Sequence, residues 1–490
     1  MLCDVSVTSE ESTSRSRPGA ASSRFAGKRV HFIGIGGSGM NGLANVLLDS
    51  GAIVSGSEPK ANEQTRALAE RGVKISENQI GELLSPQVNL VVRTAAVPDW
   101  NAEYKAAKAY GISTIKYSEL LGQVMQERLG VAVAGTHGKS TTTAMISYAL
   151  SACGADPSFV IGATVPQLGG SGSRSGSGKA FVVEACEFDR SFHKLHPHIA
   201  LILNVDAEHF DYFKGGLADI VSAFADFAAL VPPQGRMIAN GQDANVAAAL
   251  KEHVGPIEWV GLLDEREPTG SVASRLTWVG RVIGLEAGCY VGEIRRDGQV
   301  VAELKLAVPG KHNFFNAVFA VAACCAVGVD PAQAAEAISA FIGVDRRQSE
   351  IGRCNGAIIV DDYGHHPTEI RATLKALREK YQPKRLFCVF QPHQHSRTRF
   401  FLEDFAASFI AASETIVPDI YFVRDSEAER QRVSSSDLVE RIIDHGQDAR
   451  HIPNLADIPT YLRSKVGEGD VVVTMGAGDV WKIAREMVQA

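Results

Sequence analysis

The sequence predicts an α/β chain of about three domains, each built on a largely parallel sheet. Three observations predict it. Short apolar runs recur along the chain, with stretches of helical periodicity between them. Glycine-rich or polar clusters follow those runs at Gly34, Gly135, Asp361, Gln391 and Met475, the position where open parallel sheets gather their ligands. A length of 490 residues, at roughly 150 per domain, sets the number of units.

Bulk composition narrows the function classes. Hydrophobic content of 45% with 21% charged residues is ordinary for a globular protein. Net charge is 49 − 56 = −7 with no basic block, which argues against nucleic acid or an acidic membrane surface as partner. The eight cysteines show no C-x-x-C pair and no secreted rhythm, and Cys324 and Cys325 sit inside an apolar run. No run reaches the ~18 apolar residues of a membrane span. Residues 1–27 lack an apolar h-region and read as a disordered arm, so the expected compartment is the cytoplasm.

The first domain is expected over 28–128. A buried strand over Lys28–Ile35 runs into Gly34-Ile35-Gly36-Gly37-Ser38-Gly39, a G-x-G-x-x-G turn, and Met40, Leu43, Ala44 and Leu47 then recur at helical spacing. Such glycines let the backbone approach a diphosphate at a helix N-terminus. Glu58 follows a second strand over Ala52–Ser55, near the ~20-residue spacing at which an acidic side chain meets a ribose. A nicotinamide cofactor and a nucleotide-sugar diphosphate both satisfy this pattern.

The second domain, 129–345, opens on Gly135-Thr136-His137-Gly138-Lys139-Ser140-Thr141 between an apolar strand and a helical stretch. Backbone N–H groups and the helix start face a polyphosphate, Lys139 reaches its outer end, and the Ser140 hydroxyl suits Mg²⁺. This is read as an ATP site, although Val133 stands where the general pattern wants glycine. Gly169–Lys179, rich in Gly and Ser, is expected to be a mobile surface loop. Two acidic clusters, Glu184–Asp189 and Asn204–Asp211, follow apolar strands and offer carboxylates and His209 beside the triphosphate. The segment 276–308 alternates like a small antiparallel addition. Asn313 and Asn316, three apart at a helix start, offer amides suited to adenine, while Phe315, Val318, Phe319 and Ala322 are set to face the core.

Phe341–Arg347 reads as a hinge into a third domain, 346–490. Its strands end in Asp361–Pro367, Gln391–Arg399 and Met475–Asp479, clusters of His, Arg and Asp expected to converge on one sheet edge.

Taken together, GIGGSGM, GTHGKST, EACEFD, NVDAEHFD, GKHNFFN, DDYGHHPTE and QPHQHSRT stand in the order seen in Mur ligases, and the chain resembles that family from Arg29 almost to its C-terminus. The resemblance implies a Rossmann-like UDP-binding domain, a central P-loop ATPase domain and a C-terminal Rossmann-like domain. It implies that Gly34, Gly36, Gly37, Ser38, Gly39 and Met40, with Glu58, hold the UDP-sugar. Gly135 to Thr141, Asn313, Asn316 and Arg347 would hold ATP; Ser140, Glu184 and His209 would hold Mg²⁺. Tyr363, His365, His393 and Arg397 would gather the amino acid, and Lys139, Glu184, His209, Arg346 and His365 would act in catalysis, with either hinge arginine reaching the terminal phosphate. The branch it is most similar to uses ATP to turn the lactyl carboxylate of UDP-N-acetylmuramate into an acyl phosphate, which L-alanine captures in peptidoglycan precursor synthesis. A monomer or homodimer is expected, without nucleic acid or membrane.

Four positions depart from the common pattern: Glu58 for Asp, Cys186 for Asp, Gln394 for Arg and Asp479 for Asn. Gln394 leaves Arg397 as the carboxylate's partner. Of the rival readings, a ligase that adds a preformed tripeptide fits QPHQHSRT less well. A nicotinamide dehydrogenase leaves GTHGKST unexplained, and a non-catalytic nucleotide-binding regulator has no need of an amine pocket.

Overall fold

A computed structural model of the protein describes residues 23–94, 96–210, 212–263, 275–423 and 425–489. Residues 1–22 of the expected arm, and Asp211 of the second acidic cluster, lie outside them.

The first sheet holds β1 (Arg29–Ile33), β2 (Ile53–Ser57), β3 (Lys74–Ser76), β4 (Leu90–Arg93) and β5 (Thr114–Lys116), in the order β3-β2-β1-β4-β5. All its pairings are parallel. β1 is buried at four of its five residues, as a strand covered on both faces requires. Chain order reverses at β1, so the Gly34 turn falls at the switch point of the sheet. One part of the sequence reading is corrected here. Residues 23–27 are not a free arm, because Phe25 is 3% exposed in the core and the Gly27 N–H donates to the Gly51 carbonyl.

The second sheet has ten strands: β6 (Leu129–Ala134), β7 (Ser158–Val165), β8 (Ser171–Arg174), β9 (Ala180–Ala185), β10 (Ile199–Ile202), β11 (Arg236–Asn240), β12 (Ile257–Leu263), β13 (Trp278–Glu286), β14 (Cys289–Arg296) and β15 (Gln299–Lys305). They run β15-β14-β13-β12-β11-β10-β6-β9-β7-β8. β13, β14 and β15 pair antiparallel, as the alternation over 276–308 predicts. The Gly/Ser segment, in contrast, is not a loose loop. Ser171–Arg174 pairs antiparallel with β7, and the Gly176 and Gly178 carbonyls accept from the Arg128 guanidinium at 2.8 and 2.9 Å. Small side chains let this edge strand lie against the Ser38–Asp49 helix, where a Cβ on Gly42 would sit 3.2 Å from Ser173. A composition that reads as flexible is here a close-packed seam between two domains.

The third sheet holds β16 (Ser349–Cys354), β17 (Ala357–Asp362), β18 (Leu386–Phe390), β19 (Glu414–Val417), β20 (Ala449–His451) and β21 (Val471–Met475), ordered β16-β17-β21-β18-β19-β20. All but the antiparallel β16 run parallel. This domain is docked on the central one. Arg397 and Glu208 form a buried ion pair at 2.6 Å, and the rings of Phe210 and Phe400 lie 3.8 Å apart. Farther out, the Tyr290 hydroxyl meets Glu379 at 3.1 Å. Among the described residues no helix is long and apolar enough to cross a membrane.

Candidate active site

Strand register assembles the phosphate end of the site. β6 lies between β9 and β10, with Val133 opposite Glu184 and Ala134 opposite both Ala185 and Ile202. The three strand ends therefore deliver the glycine loop, the Glu184–Glu187 cluster and Asn204–His209 to one place. Gly135 and Gly138 take φ of 147° and 83°, and a Cβ on Gly138 would come within 2.8 Å of the Asn316 amide oxygen. Only glycine fits there. The helix begins at Lys139 itself, with Gly138 as its cap.

The loop is braced from below. The Asn204 side chain accepts from the His137 N–H at 2.8 Å and donates to the His137 carbonyl at 3.1 Å, while the Asp206 N–H donates to the Thr136 hydroxyl. The Lys139 ammonium donates to the Gly135 and Thr136 carbonyls and pairs with Glu187 at 3.0 Å. Burial opposes its charge, yet Glu187 holds the ammonium above its ordinary pKa. Glu184 accepts from the Gly162 N–H at 2.7 Å, and burial raises its carboxyl against the pull of that bond and of the Ser140 hydroxyl. His209, grouped by sequence with Glu184, instead faces Glu187 at 3.6 Å. Glu187, which the sequence offers as one carboxylate of the acidic cluster, is thus the partner of both Lys139 and His209.

A cavity of about 560 Å³ opens beside the loop, within the range for small-molecule sites. His137, Gly138, Ser140 and Thr141 form one wall, Asn313, Phe315 and Asn316 another, and Arg347, Asp362 and Glu369 the third-domain side. Phe315 therefore lines the cavity, and only Val318, Phe319 and Ala322 of its helical set are buried in the core. The Asn313 amide donates to the Pro309 carbonyl at 2.7 Å and its oxygen accepts from Asn316, so both amides have set orientations. Of the two hinge arginines, Arg347 lines the cavity and lies over the Tyr363 ring. Arg346 turns into the third domain, donating to Asp361 at 3.0 Å and to the Gly476 carbonyl at 2.9 Å. Unforeseen cavity residues include His312, which burial pushes down to about 4, and Gln348 and Asp243.

The third domain supplies a second cluster. Asp362 and Phe390 both pair with Met475, so the segments after β17 and β18 start side by side. Tyr363, His365 and His393 form a chain of rings at 5.4 and 6.2 Å, and the Arg397 guanidinium donates to His393 at 3.2 Å and to Glu208. Burial, then the Arg397 charge, pushes His365 down to about 4, so its imidazole is neutral near pH 7. Asp206 and Glu208 join the two clusters. Asp206 meets His137 on the loop at 3.3 Å, and Glu208 holds Arg397. Burial works against Glu208, but Arg397 keeps its carboxyl far below the usual range.

The first-domain turn does not line the cavity. Gly34 has φ of 81°, and Gly37 and Ser38 are exposed. Gly39 packs close to the Tyr117 hydroxyl. Glu58 accepts from the Gly36 N–H at 3.0 Å, so its carboxylate holds the turn itself. Met40, expected at the UDP-sugar, is 2% exposed within the core.

Family models match the chain three times: as a Mur ligase family catalytic domain over residues 29–129, a Mur ligase middle domain over 133–324 and a Mur ligase glutamate ligase domain over 346–478. A UDP-N-acetylmuramate–L-alanine ligase of Caldanaerobacter subterraneus is 41% identical over 94% of this chain and 97% of its own length. One of Acetivibrio thermocellus is 40% identical over 93% and 94%. Among solved structures, the UDP-N-acetylmuramate–alanine ligase MurC of Thermotoga maritima aligns with a TM-score of 0.77 at 25% identity, covering 94% of this chain and 98% of its own. A murein peptide ligase of Psychrobacter arcticus aligns at 0.68, also at 25% identity, over 94% and 98%.

Proposed function

The chain belongs to the Mur ligase family, and on that premise we propose that it is an ATP-dependent ligase joining L-alanine to the lactyl carboxylate of UDP-N-acetylmuramate. One observation carries the reading. Through Asp206 and Glu208 the glycine loop is linked to the His365–Arg397 cluster, which supports a reaction in which a nucleotide's outer phosphate and an incoming amino acid meet there.

A carboxylate and an amine do not condense at neutral pH, so the acid must first gain a leaving group. Transfer of the γ-phosphoryl group makes the acyl phosphate; the amine attacks it, and phosphate departs. Lys139 exchanges its loop carbonyls and Glu187 for phosphate oxygens, and Arg347 meets the terminal phosphate from the far wall. Arg346, fixed on Asp361, holds the hinge. Asn313 and Asn316 face the adenine. The first-domain glycine turn, with its exposed Gly37 and Ser38, takes the UDP diphosphate.

Ser140 and Glu184 form an oxygen-donor pair that fits Mg²⁺, and His209 with Glu187 stands beside them. Mg²⁺ held there would neutralise phosphate charge during the transfer. In the third domain Arg397 pairs with the alanine carboxylate, and His365, neutral near pH 7, stands close by without adding a second positive charge. The docked third domain excludes water that would hydrolyse the acyl phosphate. The reaction is assigned to the cytoplasm, where ATP and nucleotide-sugars meet.

The test is ADP release with UDP-N-acetylmuramate, Mg²⁺ and a panel of amines. L-alanine is expected to trigger release and amide formation, and a preformed tripeptide is not. Release with the tripeptide alone would assign the chain to the recycling branch.

A further inference from the structure

We propose that His137, Asp206 and His366 form a binding site for a borderline transition-metal ion of the zinc class, shared between the central and third domains. One donor atom of each lies within 4.8 Å of the other two. The His137 Nε2 is 3.3 Å from Asp206 Oδ2, and the His366 Nδ1 is 4.0 Å from the same oxygen. Ligands about 2.0–2.1 Å from a tetrahedral ion stand roughly 3.3–3.4 Å apart, so a small movement of His366 closes the set.

Outer partners orient both imidazoles. The His137 Nδ1 faces Glu369 Oε1 at 3.3 Å, and the His366 Nε2 faces the Ala207 carbonyl at 3.2 Å. Against the cost of burial, Asp206 and Glu369 favour a second proton on His137, which the ion displaces from Nε2; with each outer nitrogen keeping its proton, both inner nitrogens then present lone pairs to the same point. A carboxylate or carbonyl behind a ligating histidine is the usual way such rings are set. The Thr368 hydroxyl donates to Asp206 at 3.2 Å, steadying the third ligand. Binding requires His366 to give up the Thr368 N–H it accepts at 3.3 Å as helix cap. His137 and Asp206 also line the cavity, which leaves a fourth position open to water or a phosphate oxygen.

Two imidazoles and one carboxylate select zinc-class ions over Mg²⁺, which favours oxygen alone. The site is therefore chemically distinct from the Ser140–Glu184 pair. Its ligands come from the phosphate loop, from the segment after β10 and from the cap of the Pro367–Tyr381 helix. An ion held there pins the domains together and slows any step that must part them.

The test uses the full, metal-free chain without substrates, so its failure and that of the proposed ligase activity are separate results. Co²⁺ is titrated while its visible d–d band is followed, and Zn²⁺ is then added as competitor. One saturable ion per chain is expected, displaced by Zn²⁺. Affinity should fall at least about tenfold in Asp206→Asn and His366→Ala, and by about 10–100-fold in Glu369→Gln through the lost outer partner. X-ray absorption on the Zn²⁺-loaded wild type should show two imidazole nitrogens, a readout independent of whether the variants fold. Absence of saturable binding, or binding that the substitutions leave unchanged, would overturn the proposal in favour of a proton alone bridging His137 and Asp206.

Discussion

Lys139 is a half-buried cation whose present partners are two loop carbonyls and Glu187, which phosphate oxygens replace in the proposed reaction. Lys139→Ala is expected to lower kcat by at least about 10²–10³, as loss of one aimed charge does elsewhere. Binding of the UDP-sugar, measured by calorimetry, should be unchanged. The hinge arginines separate in the same way. Arg347→Ala should lose a comparable factor in ADP release with little change in melting temperature. Arg346→Ala should chiefly lower stability, because it strips buried Asp361 of its cation. Equal kinetic effects from both would contradict the assignment. The loop, the paired asparagines and the histidines were legible because each is a local pattern with a mechanism. Which arginine faces the cavity was not. It depends on the φ of 60° at Arg346, a turn set by packing. Spacing also does not show that Glu58 braces the turn through the Gly36 N–H or that the Met40 side chain is buried.

At the level of elements, β17 and β18 carry the third-domain site with β21 between them, and the starts of β18 and β21 are tied by Arg385 and Asp470. The guanidinium contacts both carboxylate oxygens, at 3.2 and 2.6 Å. Burial opposes the Asp470 charge, but the Arg385 bond and the Gly467 N–H hold its pKa below the ordinary value. A carboxylate lowered in the folded state adds stability in full above its unfolded pKa of about 3.9, and that share is lost as pH falls through the lowered value. Asp470→Asn should therefore cost about 1–3 kcal/mol at pH 7. The gap between mutant and wild type, read from urea unfolding, should narrow below about pH 4. A gap independent of pH would mean that the charge is irrelevant. Parallel pairing followed from apolar runs ending in polar clusters, whereas strand order did not. Nor did the edge strand Ser171–Arg174, because Gly and Ser carry no periodic signal and its pairing is decided by β7 and by the neighbouring domain.

For the whole molecule, the docked third domain is the feature on which the proposed catalysis depends. The antiparallel extension reaches it at Gly288, where a Cβ would stand 2.3 Å from the Lys380 Cα. Gly288→Ala should therefore expand the chain in small-angle scattering and lower kcat, although the position is outside the site. An unchanged scattering profile would show that this contact does not govern docking. Sequence alone marked Phe341–Arg347 as a junction but carried no sign of Tyr290–Glu379 or Phe210–Phe400, contacts between elements far apart in the chain.

The central claim is that a sugar-borne acid becomes electrophilic by taking phosphate from ATP at the Lys139 loop. Its most direct test is to supply UDP-N-acetylmuramate with heavy oxygen in the lactyl carboxylate, together with ATP, Mg²⁺ and L-alanine, and to weigh the inorganic phosphate released. The account predicts that each phosphate carries one heavy oxygen from the acid. Release of unlabelled phosphate alongside amide product would contradict it.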